Sequence, residues 1–261
     1  MTYAGQINTW LLALLLTMPR VLGFFLALPF ISGKTVPGMV RNALVIIVTA
    51  FAVPMTVDTV STLPFELSFI FFIIIKEIAI GFIFGYMLGI PFWVMGSAGF
   101  FLDLQRGSMS AQLFSPVLSD QSSSLGDLFV KLAVVLLFST GGFLLLIEVL
   151  LESYLAWPVH SYFPHFNLDS VGIVIGQFGS IFVLAALVAA PIIATMYIGE
   201  FGVAFVARYV PQLNVFLLVM PIKSGIAMLL LVFYIVYISR YVREGFFRFN
   251  EVFNMTDTML R

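Results

Sequence analysis

Long uninterrupted apolar runs, not alternation, set the pattern of this chain. Six segments stand out, at residues 10–31, 42–57, 67–102, 125–151, 170–199 and 213–239. A membrane β-barrel would show alternating stretches of about ten residues. These Leu-, Ile- and Phe-rich runs are much longer, and they predict helices. Polar turns part them: Lys34, Pro37 and Arg41 after the first, Asp58, Pro64 and Glu66 after the second, Pro158, His160, Pro164, His165 and Asp169 before the fifth. The third segment exceeds the ~20 residues of a single span. Lys76–Glu77 and Pro91 interrupt it, which predicts either two elements or one long bent helix. Ser124, with Asp127 three residues on, resembles a capping box that starts the fourth helix near Leu125.

One stretch departs from this pattern. Residues 103–127 read DLQRGSMSAQLFSPVLSDQSSSLGD, with Gly107, Pro116 and Ser122–Ser124 as turn and breaker residues. Met109, Leu113, Phe114 and Leu118 lie among them. Loops of this length without structure of their own are functional or disordered. The apolar residues point to a loop that packs inside something, and hence to a functional one.

Composition turns the helices into membrane helices. Of 261 residues, 61% are hydrophobic and 10% charged, against about 25% charged in soluble domains. No soluble core of this size hides so much apolar side chain, so the class is all-α integral membrane protein. Lys and Arg number 12 and Asp and Glu 13, which leaves no basic field for nucleic acid. With no cysteine, disulfides, thiolate metal sites and Cys nucleophiles are excluded. The first apolar run has no basic residue before it and no cleavage signature after it, and is read as a retained helix. The chain reads as a single domain over 1–261, with 103–124 as an internal loop and 240–261 as an Arg-bearing cytoplasmic tail.

Topology from charge conflicts with six simple spans. Lys34 and Arg41 place the first link in the cytoplasm and the N-terminus outside. Six crossings then leave the tail outside, although Arg240, Arg243, Arg248 and Arg261 call for the inside. One segment therefore does not cross simply. The candidates are the third, split at Lys76–Glu77, and the stretch Pro211–Pro221.

Charge within apolar segments is expensive, roughly 2.5–3.5 kcal/mol per group at the bilayer centre. Arg20, Lys76, Glu77 and Lys223 all fall there, and Glu148 lies near a segment end. Three arrangements accommodate them: pairing within one bundle, an ion or proton pathway, or burial against other subunits around a shared pore. Glu77, Gly81, Gly85 and Gly89 recur every fourth residue and form one helical stripe on which a second helix can pack closely. His160 and His165 lack carboxylate or thiolate support at metal spacing. No P-loop, HExxH, GxSxG or GxGxxG occurs. The residues suggest no enzyme, cofactor or metal.

Two motifs narrow the field. One is Pro91-Phe92-Trp93, Gly99, Asp103-Leu104-Gln105-Arg106-Gly107, Ser115-Pro116 and Gln121-Ser122-Ser123. The other is Arg208-Tyr209-Val210-Pro211-Gln212-Leu213-Asn214-Val215-Phe216, then Met220-Pro221-Ile222-Lys223-Ser224. Together they resemble the FliR/SctT family, membrane subunits of the type III secretion export apparatus. Gly141-Gly142, Ser153-Tyr154 with Trp157-Pro158, and Lys76-Glu77 through Gly81 and Gly85 look like the same family. The likeness runs from about Arg20 to Lys223. Gln-Arg-Gly and Met-Pro-Ile-Lys-Ser resemble the injectisome branch over the flagellar one, and Val210 stands where the family often has Ala.

The resemblance implies long, broken helical hairpins within a hetero-oligomeric, pore-forming helical assembly in the bacterial inner membrane, partly displaced toward the periplasm. It implies partners of the FliP/SctR and FliQ/SctS types and the FlhB/SctU switch type. Membrane lipid surrounds the assembly, unfolded proteins are its substrates, and charges at membrane depth are buried against subunits. The loop at 103–124 is expected to plug the closed channel: Asp103 and Arg106 pin its base, Gln105, Gly107 and Ser108 shape the turn, and Met109, Leu113, Phe114 and Pro116 seal it. Pro211 and Pro221 break helices, and Gln212 and Asn214 satisfy the freed carbonyls. With Arg208, Leu213 and Lys223 they are expected to serve assembly, as is the stripe from Glu77 to Gly89. The alternative is a secondary transporter or channel relaying ions through Glu77, Glu148, Glu200 and Arg208. No inverted repeat supports it.

Overall fold

In the computed structural model the described residues are 3–31, 36–60, 67–108, 123–160, 168–209 and 215–249. They form seven α-helices: α1 Tyr3–Ala27, α2 Gly38–Val60, α3 Leu67–Arg106, α4 Ser124–Ser139, α5 Gly142–Ala156, α6 Leu168–Tyr209 and α7 Val215–Phe247. One 3-10 turn, Pro29–Ile31, follows α1. Among the described residues there is no strand, and the all-α membrane expectation holds. Five helices, α1, α2, α3, α6 and α7, are individually long and apolar enough to cross a membrane.

Of the two readings of the third segment, the single long helix is the one observed. α3 runs unbroken through Lys76, Glu77 and Pro91, so the third segment is one helix and is not split. Prolines also lie inside α1, α2, α6 and α7. A helical proline forfeits one N–H donor, and in this chain that loss ends none of the five helices. The fourth segment breaks instead. Gly141 takes the left-handed conformation, φ 75°, and separates α4 from α5. That backbone suits a glycine. With 16 and 15 residues, α4 and α5 each reach only about 24 Å or less, short of the ~30 Å hydrocarbon core. The fourth segment is thus a pair of short helices bent by 78°, and the helices long and apolar enough to cross number five, or six if that pair forms one broken span. α7 also continues eight residues past Ser239, carrying Arg240 and Arg243 on helix.

The chain clusters into two compact units. The first holds residues 1–90, 137–177 and 245–261, the second 91–136 and 178–244. In the first, Phe24, Phe25, Ile80 and Phe84 are fully buried. There α1 and α3 touch backbone to backbone: a Cβ at Gly81 would strike the Arg20 carbonyl oxygen, and one at Gly85 the Phe24 oxygen. In the second, Phe92, Leu102 and Phe129 are buried. α3 meets α4 where Gly99 lies against the Gly126 backbone. Small residues permit such approaches, and close packing replaces the hydrophobic drive that helices lack in lipid.

Candidate functional site

Two polar clusters stand out among the described residues, one in each unit. The first joins α1, α3 and the end of α5. Arg20, fully buried, grips Glu77 with Nε to Oε2 at 2.6 Å and Nη2 to Oε1 at 3.1 Å. Its Nη1 donates to the Ser153 carbonyl at 2.7 Å and its Nη2 to the Trp157 carbonyl at 2.8 Å. Tyr154 lies under the guanidinium at 4.2 Å and donates its hydroxyl to the Thr17 carbonyl. Lys76 Nζ bonds Glu77 Oε1 at 3.0 Å and donates to the Val159 carbonyl at 2.9 Å. Two cations thus face one carboxylate and three carbonyls. The carbonyls lie at and just past the C-terminal end of α5, where the helix dipole is negative, and that of Ser153 also accepts the Trp157 N–H at 3.0 Å. Pro158 favours extended backbone at Trp157, which has φ −129° and ψ 92°, and so helps end the helix. The cluster is a closed structural lock.

The second cluster surrounds the loop base in the other unit. Asp103 is 1% exposed. Its Oδ1 pairs with Arg106, three residues on, and its Oδ2 accepts from Ser123 Oγ at 2.7 Å and from the Leu125 N–H at 2.8 Å. Ser123 Oγ also accepts the Gly126 N–H at 2.9 Å. The N-cap of α4 is therefore Ser123, one residue before the position that the capping-box reading implies. Asp103 takes a second orphan N–H from another helix, the task that an acidic N3 residue performs in a capping box. At the far end, α3 terminates on Gly107, φ 74°. Gly107 N donates to Leu104 O and Ser108 N to Asp103 O, the paired bonds of a Schellman stop. Ser108 Oγ returns to Asp103 O at 3.0 Å. Both ends of the 109–122 segment are hydrogen-bonded to Asp103.

α7 completes this site. Met220 packs on Gly107, its Cε 3.3 Å from where a Cβ would sit, and Arg106 Nη1 reaches Ser224 Oγ at 3.5 Å. Beside it Lys223 pairs with Glu200 Oε2 at 2.5 Å. The Asp-Leu-Gln-Arg-Gly and Met-Pro-Ile-Lys-Ser stretches, read separately in sequence, form one site.

Residues 11–249 match the family described as bacterial export proteins, family 1. The chain belongs to that family. It is 40% identical over 232 residues to Yop proteins translocation protein T of Yersinia pestis, covering 88% of each chain. It is 29% identical over 216 residues to surface presentation of antigens protein SpaR of Salmonella typhimurium, covering 82% of this chain and 80% of the relative. Flagellar biosynthetic protein FliR of Bacillus subtilis is 27% identical over 223 residues, at 84% and 85% coverage. Membership in the FliR/SctT family, expected from the motifs, is established, and with it the coarse assignment to the type III secretion export apparatus.

In this export protein the residues singled out by sequence divide clearly. Asp103, Arg106, Gly107 and Ser108 gather at the loop base, with Gln105 half-buried beside them. Met109, Leu113, Phe114 and Pro116 lie outside the described residues, as do Pro211, Gln212, Leu213 and Asn214. Glu77, Gly81, Gly85 and Gly89 are all buried. Pro221 lies inside α7. Arg208 is exposed in the last turn of α6, and Glu148 is exposed on α5.

The charges at membrane depth pair within the chain. Arg20, Lys76 and Glu77 satisfy one another, and Lys223 meets Glu200, so none of these pairs needs a second subunit as counter-ion. For Arg20, Lys76 and Glu77 that corrects the expectation of burial against subunits, since all three are buried within the chain itself. Sequence reasoning also did not connect Arg20 to the Ser153–Trp157 turn. The signals were there, a lone mid-helix arginine and a helix ending in Trp-Pro, but nothing in linear spacing relates residues 133 positions apart.

Proposed function

We propose that this export protein is a SctT-type, injectisome-branch subunit of the type III secretion export gate in the bacterial inner membrane. In this reading it assembles with FliP/SctR-type and FliQ/SctS-type subunits, and with an FlhB/SctU-type switch subunit. Together they form a conduit through which unfolded proteins pass. The loop at 103–124 closes the conduit until substrate displaces it. The higher identity to the Yersinia translocation protein than to the flagellar relative supports the branch.

One observation carries the plug reading: both stems of the loop are tied to one buried residue, Asp103, Ser108 to its backbone carbonyl and Ser123 to its carboxylate. A plug needs a fixed root and a mobile body. Asp103 supplies the root at both stems. Mixed polar and apolar loops lack the burial energy of a core and open at low free-energy cost.

Deleting Met109–Ser115 leaves Ser108 and Ser123 able to close on Asp103. The expected result is normal assembly with raised ion leakage through the complex. Unchanged leakage in a correctly assembled deletion variant refutes the plug. The transporter reading makes a different demand, a solute bound by the chain isolated without partner subunits.

A further inference from the structure

We infer that one face of α7 is a lipid-facing surface that binds anionic phospholipid headgroups through Arg240 and Arg243. The inference does not depend on the plug or on the identity of the substrates.

α7 is the least covered of the five long apolar helices, with 17% of its window buried. Leu229, Phe233, Val236, Arg240 and Arg243 follow one another at steps of four, three, four and three residues. They form one exposed helical stripe, apolar for its first part and cationic at its end. Protein-facing stripes in membranes are built of small residues that let backbones approach. Gly81 and Gly85 on α3 show that pattern in this chain, whereas the α7 stripe carries no small residue from Leu229 to Arg243, Gly225 lying one turn before it. Leu, Phe and Val without a hydrogen-bonding group among them suit acyl chains.

The charge pattern locates the membrane boundary. Residues 224–239 are uncharged and lie between Lys223 and Arg240. At 1.5 Å per residue they span about 24 Å, a few ångströms under the ~30 Å hydrocarbon thickness. Lys223 is held by Glu200 within the protein, whereas the exposed Arg240 can snorkel to the headgroup level at the other end. Tyr237 is exposed one turn inside Arg240 and stacks on Tyr234 at 5.1 Å. Tyrosine collects at the headgroup level. Arg240 and Arg243 are exposed just beyond it, and Glu244 is the acidic residue beside them on the helix. The local surplus is cationic. Guanidinium forks match phosphate in two-pronged hydrogen bonds, so the occupant is a phosphodiester headgroup with its acyl chains along the apolar stripe.

Native mass spectrometry of the full chain, released from detergent with any subunits that co-purify, tests this. The probes are phosphatidylglycerol, cardiolipin and phosphatidylcholine, each titrated separately. Anionic lipids are expected to be retained in preference to phosphatidylcholine, and added inorganic phosphate is expected not to displace them. R240Q/R243Q should weaken anionic-lipid retention roughly 30-fold, since each basic residue near an anionic surface contributes about fivefold. R240K/R243K should retain most of the preference. Equal retention of the three lipids, an unaffected R240Q/R243Q variant, or displacement by phosphate overturns the inference. So does a photo-crosslinker at Phe233 that captures a protein subunit instead of lipid in the intact membrane.

Discussion

The two polar clusters solve the same problem, charge in an apolar protein, in opposite ways. In the first, Arg20 and Lys76 meet one carboxylate and the carbonyls at a helix end, in a buried site. Contacts there join helices more than 50 residues apart in sequence. In the second, Asp103 reaches a neighbour three residues away and the start of the next helix, and Arg106 keeps a buried Nε with no hydrogen-bond partner. The first binds a bundle and leaves no group free to move. The second ties the two loop stems, at Ser108 and Ser123, to one residue. Distance in sequence separates a lock from a root.

The comparison is most severely tested at Glu77. Glu77→Gln keeps shape but removes the anion between two buried cations. Breaking a buried pair in this way costs about 3–5 kcal/mol. The variant should fail to accumulate as folded protein, or lose thermal stability sharply, measured by unfolding of the detergent-purified chain. Near-native stability would mean that the carbonyls of residues 153, 157 and 159 suffice to hold both cations.

Asp103→Asn should be milder and local. It removes a charge-assisted cap and the Arg106 pair, each hydrogen bond to a charged group contributing roughly 1.5–3 kcal/mol. Most of that loss should fall on the 103–126 region, seen as faster hydrogen exchange at the Leu125 and Gly126 amides. The first unit should keep its protection. Loss of protection in both units would erase the distinction between lock and root.

How far these sites were legible from sequence follows from the range of the interactions. The long helices were, because apolar runs and membrane thickness are local facts. So was the end of the third helix at Gly107, because a glycine with positive φ acts on its own backbone. The Ser123 cap missed by one residue because the expected N3 acid was replaced by Asp103, 22 residues upstream of Leu125. The break at Gly141 was passed over in favour of prolines and charges, yet the helices absorb every proline they contain. Pairing of Arg20 with Glu77 was open among three arrangements because only tertiary packing chooses between them.

Glycine substitutions sharpen the contrast further. A Cβ at Gly81 would strike the Arg20 carbonyl oxygen, so α1 and α3 must separate. Overpacking costs about 1–3 kcal/mol, partly offset by the roughly 1 kcal/mol by which alanine exceeds glycine in helix propensity. Gly81→Ala should therefore lower stability modestly and disturb the Arg20 grip, measurable as a fall in unfolding temperature.

Gly202 should behave in the reverse sense. It lies on the exposed part of α6, nothing stands within 4 Å of its Cβ position, and it lines an apolar cavity of about 330 Å³ with Gly199, Val206, Leu218 and Ile222. In the isolated chain Gly202→Ala should raise stability slightly, by up to ~1 kcal/mol from propensity alone. If the export-gate reading is right and a partner helix approaches here, the same methyl group should weaken co-purification of partner subunits while the chain itself stays as stable or gains. Two measurements on one variant then separate cohesion of the chain from cohesion of the assembly. Were stability and co-purification to fall together, Gly202 would belong with Gly81 as part of the fold, and the open side of α6 would not be an assembly surface.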